Sequence, residues 1–469
     1  MSDLVALIDQ GSTSTKGAIF SVDGERLRLE SVPVERRVDG DRVRHDPEEL
    51  AAGVERLLAT LVEKHPVRAV GLACQRSTCL LWERDGARPL TDAWSWQDRS
   101  QAGRVEALRD RAEMVRRRTG LRLTAHYAAP KLAALLDDLP GGRGRAERGE
   151  LVAGTLDAFL VHRLTGHPAT EPGTAGRTLL YDLERDAWDA ELCELFDVPM
   201  EALPELRPSA GDWGEAGGLP LLAVAGDQQA SLVGHGGWRL GTTAAHFGTG
   251  AFVLASTGTE ARWHDGLLTA VLASTPETRR FQIEGSVNSA GSAVDWAREL
   301  TGVDLDAWAD RSLELAGPRV LPGFTGVAAP WWRGRARGVV AGLELSSSPE
   351  DLFAAVLRGI AHRVVDCVEA IEEAGVATEV LRVSGKLTRL RGLVQLLADL
   401  TRVPVEISAE EETGALGLAR LIASRLAADD ARVSAPPASR ACVEPLRPAA
   451  EARAERQSWL EFLHRALNL

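Results

Sequence analysis

Tyrosine, methionine and cysteine are scarce in this chain of 469 residues, which carries 2, 3 and 5 of them. Cys74, Cys79, Cys193, Cys367 and Cys442 form no CxxC pair, so no disulfide framework is expected. An odd, widely spaced set predicts reduced thiols used as small core filler in a cytoplasmic protein. Positive charge is also in short supply. A formal net charge of −13 argues against a nucleic-acid-binding surface. No apolar run approaches the roughly 18–20 residues needed to span a bilayer, and no secretory leader is visible. Neither nucleic acid nor membrane is therefore an expected partner. Aromatic residues are few but skewed, with 12 Trp against 9 Phe. Indoles serve either as core or as a stacking wall for a polyol or sugar. What is present suits a folded chain of two large or three ordinary domains.

The central feature is an apolar run, residues 221–225, that breaks at Gly226 and delivers Asp227, Gln228 and Gln229. It reads as a buried strand ending in an acid at the start of a helix. Ligands of open α/β sheets bind beyond such strand ends, which makes Asp227 a candidate general base. The N-terminus has a related layout. Residues 4–8 read as a strand, Asp9-Gln10-Gly11-Ser12-Thr13-Ser14-Thr15-Lys16-Gly17 as a polar turn, and residues 18–22 as a second strand. Backbone N–H groups, hydroxyls and one ammonium in such a turn are the parts of a phosphate cradle. Asp9, at the strand end, is placed to hold Mg²⁺, usually through water. A helix over 46–64 and a strand over 67–74 follow, the latter ending at Gln75-Arg76-Ser77-Thr78. Residues 79–82 read as that strand's antiparallel partner, 101–118 as helical, 141–149 as a surface loop, and 169–178 as a small-residue loop.

After Asp227 the composition shifts to glycine, and a domain boundary is expected near 238–244. The second half then repeats the opening: a strand at 243–247, the turn Gly248-Thr249-Gly250, and a strand at 251–255. Helices over 293–300, 348–374, 391–401 and 412–423 are expected, with Ser384-Gly385-Lys386 at another strand end. Two matching halves suggest a diverged duplication with phosphate-type turns facing one cleft.

The anchors Leu7 to Lys16, Cys74-Gln75-Arg76, Trp96-Gln97-Asp98-Arg99, Gly154-Thr155-Leu156-Asp157, Ala225 to Ala230, Phe247 to Gly250, Pro322 to Gly326 and Ala415-Leu416-Gly417 together resemble the FGGY carbohydrate kinases. Within these they are most similar to the glycerol kinase branch, and the resemblance runs over nearly the whole chain. It implies an α/β, two-domain actin/hexokinase-like (ribonuclease H-like) duplicated fold with an interdomain cleft. Residues 1–240 would form the first domain and 241–469 the second, with 427–449 linker-like and 450–467 a terminal helix. It further implies ATP and Mg²⁺, and phosphoryl transfer to a sugar or polyol, with a homodimer left open. Residue by residue, Asp227 matches the catalytic base, and Asp9 with Asp227 the metal side. Arg76 and Gln228 match polyol contacts, and Trp96 and Phe252 apolar walls. Ser12, Thr13 and Lys16 match the first phosphate turn, Gly248 and Thr249 the second, and Gly291 lies near the nucleotide.

The departures concern both substrates. Ser77 stands where glycerol kinases carry a Glu that binds glycerol hydroxyls, and His126 stands where they carry Tyr, with Tyr127 next to it. Ser is short and uncharged, so weaker glycerol binding is expected. Around the adenine, Gly385 is kept, Lys386 replaces a second Gly, Leu390 replaces an Asn, and Asp295 replaces a Gln. Lys386 would either reach a phosphate or obstruct the site. A binding module without turnover, or a phosphohydrolase on the same fold, therefore stays open beside the kinase reading.

Overall fold

The computed structural model describes residues 3–427 and 433–468. The chain divides into two compact units, and neither is continuous in sequence. The first comprises Met1–Gly234, Thr269–Phe281 and Glu412–Ala435; the second comprises His235–Leu268, Gln282–Glu411 and Pro436–Leu469.

The first unit is built on a six-stranded mixed sheet. Its order is Glu215–Ala216, Leu219–Gly226, Val67–Cys74, Leu4–Gln10, Ser14–Ser21, Arg26–Pro33. The three central strands are parallel, and their register aligns Gln10 and Gly226 with Cys74. This pairing carries Asp9, Arg76 and Asp227 to the carboxyl ends of the three central strands. These strands are apolar almost throughout because both faces are covered. One covering helix, Pro47–Lys64, buries Leu50, Val54, Leu57, Leu58 and Leu61, which recur at helical spacing. Asp46 caps it by accepting from the Glu48 and Glu49 N–H groups, a contribution of about 1 kcal/mol.

Two other helices, Asp227–Gly234 and Thr413–Ala427, touch backbone to backbone. A β-carbon on Gly417 would lie 1.8 Å from the Ala230 carbonyl oxygen, and one on Gly234 would lie 2.0 Å from that of Thr413. Only glycine permits so close a crossing.

Several local expectations change. Residues 79–82 do not pair with Val67–Cys74. The strand Cys79–Glu83 joins a separate antiparallel sheet beside Ala93–Trp94 and Leu151–Thr155. The reason is Ser77, whose φ of 64° breaks the extended backbone and turns the chain out of the first sheet. The expected loop at 141–149 contains a short helix, Gly142–Glu147, that sinks Gly142 and Ala146 and pairs its half-buried arginines with Asp137, Asp197 and Glu150. The small-residue loop at 169–178 is wholly buried and includes the turn of helix Pro172–Ala175, capped by Glu171. Trp82 and Trp213 belong to the core of this unit.

In the second unit, strands run in the order Ala251–Gly258, Thr243–Phe247, Leu381–Gly385, Val405–Ser408, Ser439–Val443. The last of these corrects the linker-like reading of 427–449. Ser439–Val443 pairs antiparallel with Val405–Ser408, and its exposed side chains kept the sequence from looking like a strand. Residues 428–432 of that stretch lie outside the described residues. The long helix Pro349–Glu373 starts at a capping box formed by Ser348 and Asp351. Its buried face carries Phe353, Val356, Ile360 and Val364 into the core. The terminal helix Ala449–Leu467 adds Trp459 and Phe462 to a neighbouring cluster. Among the described residues no helix is long and apolar enough to cross a membrane.

Candidate active site

In the first unit Asp227 opens the helix Asp227–Gly234 directly from the strand Leu219–Gly226. Its Oδ1 accepts the Gln228 backbone N–H at 2.8 Å and lies 3.5 Å from Nε of Arg76. Arg76 is buried, and its Nη1 also donates to Gln229 Oε1 at 3.2 Å. Gln229 in turn donates to the Gly173 carbonyl at 3.2 Å. Gln228 Oε1 is buried with no hydrogen-bond partner among the described residues. A carboxylate, a guanidinium and an orphaned amide oxygen thus meet at one strand end. They offer both acceptors and donors to a hydroxyl-bearing molecule.

Asp9 is the second acid. Burial, then the Asp227 charge, push its carboxyl up to about 7, against a smaller opposing pull from Lys16. A β-carbon on Gly414 would lie 3.7 Å from Asp9 Oδ2 and 3.8 Å from the Asp227 carbonyl oxygen, so the helix Thr413–Ala427 begins beside both acids. A half-buried carboxyl raised by desolvation and by a neighbouring like charge is one that a divalent cation would ionise. Mg²⁺ commonly takes one or two carboxylates, with phosphates and waters completing the shell, and this pair fits that donor set. Among the described residues no cluster of three or more His, Cys, Asp or Glu forms an all-protein metal cage.

The first turn is closed by the Gly11 N–H donating to the Ser14 carbonyl at 3.0 Å, with Ser12 half-buried and Thr13 exposed. Lys16 faces Asp9 across the antiparallel pair. Its ammonium rests on Glu412, with Nζ at 2.8 and 2.7 Å from the two carboxylate oxygens. Glu412 lies almost four hundred residues away in sequence, and no local pattern announced it.

Ser77 is buried, and its hydroxyl donates to the Arg177 carbonyl at 3.4 Å. Trp96 and His126 stand edge to face, with ring centroids 5.5 Å apart, while Tyr127 is buried. His126 is therefore the residue of that pair packed on the Trp96 wall. Holding these segments is Lys131, which sequence reasoning did not single out. Its fully buried ammonium donates to the carbonyls of Ser77, Ser95 and His126 at 2.8, 3.0 and 2.9 Å. Burial lowers its pKa, against the pull of Cys79 and Asp98. The one signal in the sequence was a lone lysine in the apolar helix Ala128–Asp138. Glu171 is a comparable support. It accepts from Gly173 N–H, Thr174 N–H and hydroxyl, and Ser209 hydroxyl, and burial raises its carboxyl to about 7.

The second unit gathers Gly248, Thr249 and Gly291. The Gly248 N–H donates to the Gly250 carbonyl at 2.9 Å, and Gly291 and Ser292 N–H donate to the Gly248 and Thr249 carbonyls at 3.0 and 3.1 Å. The turn is thereby fixed to the N-terminus of the helix Gly291–Thr301. Gly385 abuts the end of the neighbouring strand, since a β-carbon there would lie 2.2 Å from the Phe247 carbonyl oxygen. Its φ of 98° likewise requires glycine. Lys386 is exposed, whereas Leu390 is buried in the core. Asp295 is exposed and, with Arg298, Glu299, Gly302 and Val303, borders an open surface depression. Phe252 is half-buried on the strand beside the turn, in a different unit from Trp96.

Two family models match the chain. The N-terminal domain of the FGGY family of carbohydrate kinases covers residues 4–234, and the C-terminal domain covers residues 243–426. A glycerol kinase of Cereibacter sphaeroides is 36% identical over 447 residues, spanning 90% of each chain. One of Thermus brockianus is 39% identical over 441 residues, spanning 89% of each. In fold, the chain superposes on Plasmodium falciparum glycerol kinase crystallised with ADP, with a TM-score of 0.93 at 24% identity over 99% of this chain and 98% of that one. It also superposes on a xylulose kinase from Brucella ovis, with a TM-score of 0.90 at 20% identity over 99% of each. The chain therefore belongs to the FGGY family of carbohydrate kinases and is a phosphotransferase with an alcohol group as acceptor.

Proposed function

We propose that this protein transfers the γ-phosphoryl group of Mg-ATP to a hydroxyl of a small polyol or sugar, with Asp227 as the general base. The observation that carries the reading is the grouping of the Asp227 carboxylate, the Arg76 guanidinium at 3.5 Å, and the unpartnered Gln228 Oε1. Arg76 donates to acceptor oxygens and Gln228 Oε1 accepts from an acceptor hydroxyl, which together orient the attacking oxygen. Asp227 takes its proton as the oxygen bonds to phosphorus and the bond to ADP breaks. Phosphoryl transfer asks the protein mainly for positioning and charge compensation, so precise placement accounts for most of the catalysis.

Asp9 and Asp227 are the carboxylates that would hold Mg²⁺, which when bound neutralises charge on the nucleotide phosphates. In this reading Ser12, Thr13 and Lys16 from the first unit, and Gly248, Thr249 and Gly291 from the second, attend the nucleotide. Asp295, Gly385 and Lys386 border its base or phosphates. Trp96, His126 and Phe252 form the apolar side of the acceptor site.

Glycerol is the acceptor favoured by the names of the relatives that match over nine-tenths of the chain. Ser77 qualifies that choice. Its hydroxyl is turned to the Arg177 carbonyl, so glycerol would rely on Arg76, Gln228 and Asp227 and would bind weakly. The direct test is Asp227→Asn. Turnover is expected to fall roughly 10²–10⁴-fold, the contribution of a general base, while ADP affinity measured by calorimetry stays within twofold. Turnover close to that of the unmodified protein would remove Asp227 from this role.

A further inference from the structure

Arg76 is held from behind by polar groups that all belong to the first unit. Gln229 has no solvent exposure, and its amide is bonded at both ends. Its Oε1 accepts from Arg76 Nη1 at 3.2 Å, and its Nε2 donates to the Gly173 carbonyl at 3.2 Å. Only one orientation of the amide suits these neighbours, since a guanidinium only donates and a carbonyl only accepts. Turned over, the amide would set donor against donor and acceptor against acceptor. The Gly173 carbonyl therefore decides that an oxygen faces Arg76.

That carbonyl is itself fixed by Glu171, which is also without exposure. One Glu171 oxygen accepts the Gly173 N–H at 2.7 Å and the Ser209 hydroxyl at 2.9 Å. The other accepts the Thr174 N–H at 2.6 Å and the Thr174 hydroxyl at 2.7 Å. Donors on both oxygens of one buried carboxylate lock the turn Pro172–Ala175. The packing leaves no slack between these groups. A β-carbon on Gly173 would lie 3.0 Å from both Glu171 carboxylate oxygens and 3.1 Å from Gln229 Nε2. One on Gly226 would lie 2.6 Å from Gln229 Oε1 and 3.0 Å from Arg76 Cδ, so the glycine that ends the strand before Asp227 makes room for that bond.

We propose that Gln229 and Glu171 are positioning residues of the acceptor site that act in sequence: Glu171 fixes the Gly173 carbonyl, the carbonyl orients the Gln229 amide, and the amide oxygen holds the Arg76 guanidinium where it meets the acceptor. The proposal rests on the reading of Arg76 as an acceptor contact, and it names the residues through which its angle is set. A guanidinium is a planar fork, so an angular error at Arg76 misdirects its N–H groups. The chain also gives a reason for burying a glutamine and a glutamate where apolar side chains of similar size would carry no desolvation cost.

Steady-state kinetics with the polyol or sugar that the unmodified protein phosphorylates fastest tests the chain. Gln229→Leu keeps much of the volume and removes both amide bonds. It is expected to raise the acceptor KM roughly tenfold, the scale of a hydrogen bond to a charged group, and to leave the KM for ATP within about twofold. Glu171→Gln, one step further from Arg76, should give the same split with a smaller factor. Because both act through one path, the double variant should match Gln229→Leu alone, without multiplying the two factors. In an Arg76→Lys background, which keeps the cation and loses the fork, Gln229→Leu should move the acceptor KM by less than about twofold. Factors that multiply in either combination, or acceptor and ATP KM values that rise together, would overturn the proposal. Should Gln229→Leu lose its thermal transition, Glu171→Gln decides alone, and an unchanged acceptor KM in that variant overturns the chain. If the unmodified protein phosphorylates no polyol or sugar, the kinase reading falls and this proposal with it; turnover without the split sinks the chain alone.

Discussion

The Asp227 region and the Gly248–Gly250 region are built from different materials. Around Asp227 the scaffold is made of buried charged and polar side chains: Lys131 on three carbonyls, Glu171 on three residues, Arg76 on Gln229. Around the second turn it is made of backbone: Gly250, Gly291 and Gly385, which have no room for a β-carbon, and carbonyls bonded to a helix N-terminus. In the proposed function the first construction would set the angle of a reacting hydroxyl, and it is vulnerable to loss of a donor or acceptor. The second would follow the contour of a phosphate chain, and it is vulnerable to added volume. Substitutions should therefore divide by chemistry: polar deletions in the first region act on the acceptor, and small additions in the second act on the nucleotide.

Among the substitutions that test this division, the largest expected effect comes from adding volume to the second region. At Gly291 a β-carbon would lie 2.5 Å from the Gly248 carbonyl oxygen, which is backbone and cannot simply rotate away. Gly291→Val is expected to weaken ADP by a factor of ten or more in calorimetry, the equivalent of about 1–3 kcal/mol of strain. The KM for the acceptor should move much less. A variant in which acceptor KM moves more than ADP affinity would break the division.

Next is a pH effect that belongs to neither region and serves as their control. His362 is fully buried in the second unit, stacked on Trp459 at 4.5 Å and bonded to Glu455 at 3.0 Å. Burial, with some repulsion from Arg456, lowers its pKa to about 4, against a contact with Glu455 that raises it. The unfolded chain therefore binds a proton at higher pH than the folded one. The associated stability is complete above pH 6.5 and is lost as pH falls from there through 4. Its size is on the order of 2–3 kcal/mol. The raised carboxyls of Asp9 and Glu171 act in the opposite sense over the same range, so the His362 contribution is read as the difference between the unmodified protein and His362→Phe in urea denaturation at pH 7, 5.5 and 4.5. His362→Phe should gain stability relative to the unmodified protein as pH falls, and a difference that is the same at all three pH values would contradict the assignment.

The smallest expected effect is the most diagnostic for the first region. Lys131→Met keeps the length of the side chain and leaves three carbonyls without their donor. The acceptor KM is expected to rise several-fold to about tenfold, with the KM for ATP unchanged. Lys131→Arg should not rescue fully, because a planar fork cannot cap three converging carbonyls as an ammonium does. Equal changes in both KM values would show that Lys131 supports the fold at large and not the acceptor side.

The sequence carried much of this layout, for physical reasons that also explain its gaps. Strands buried on both faces, such as Val67–Cys74 and Leu219–Gly226, are apolar runs that end abruptly, and their polar ends marked Arg76 and Asp227. The helix Pro47–Lys64 was legible through its cap and its period. Ser439–Val443 was not, because an edge strand with exposed side chains has no apolar run. Gly142–Glu147 was not, because two glycines and two arginines in six residues resemble a loop in composition. Lys131, Glu171 and Glu412 were missed for a different reason. Each acts through partners brought near by topology, and Glu412 reaches Lys16 from the far end of the chain. Lys386 could only be described as reaching or obstructing; its exposure leaves the close contact there to Gly385.

The central claim is transfer of a phosphoryl group from ATP to a polyol or sugar hydroxyl. Phosphorus-31 NMR of the unmodified protein with Mg-ATP and, in turn, glycerol, longer polyols, ketoses and aldoses tests it most directly. The account predicts a phosphomonoester resonance that grows one for one with ADP for at least one acceptor, and more slowly for glycerol than for the best of them. ATP stable in every mixture, or ADP and inorganic phosphate forming at a rate that no acceptor changes, would contradict it.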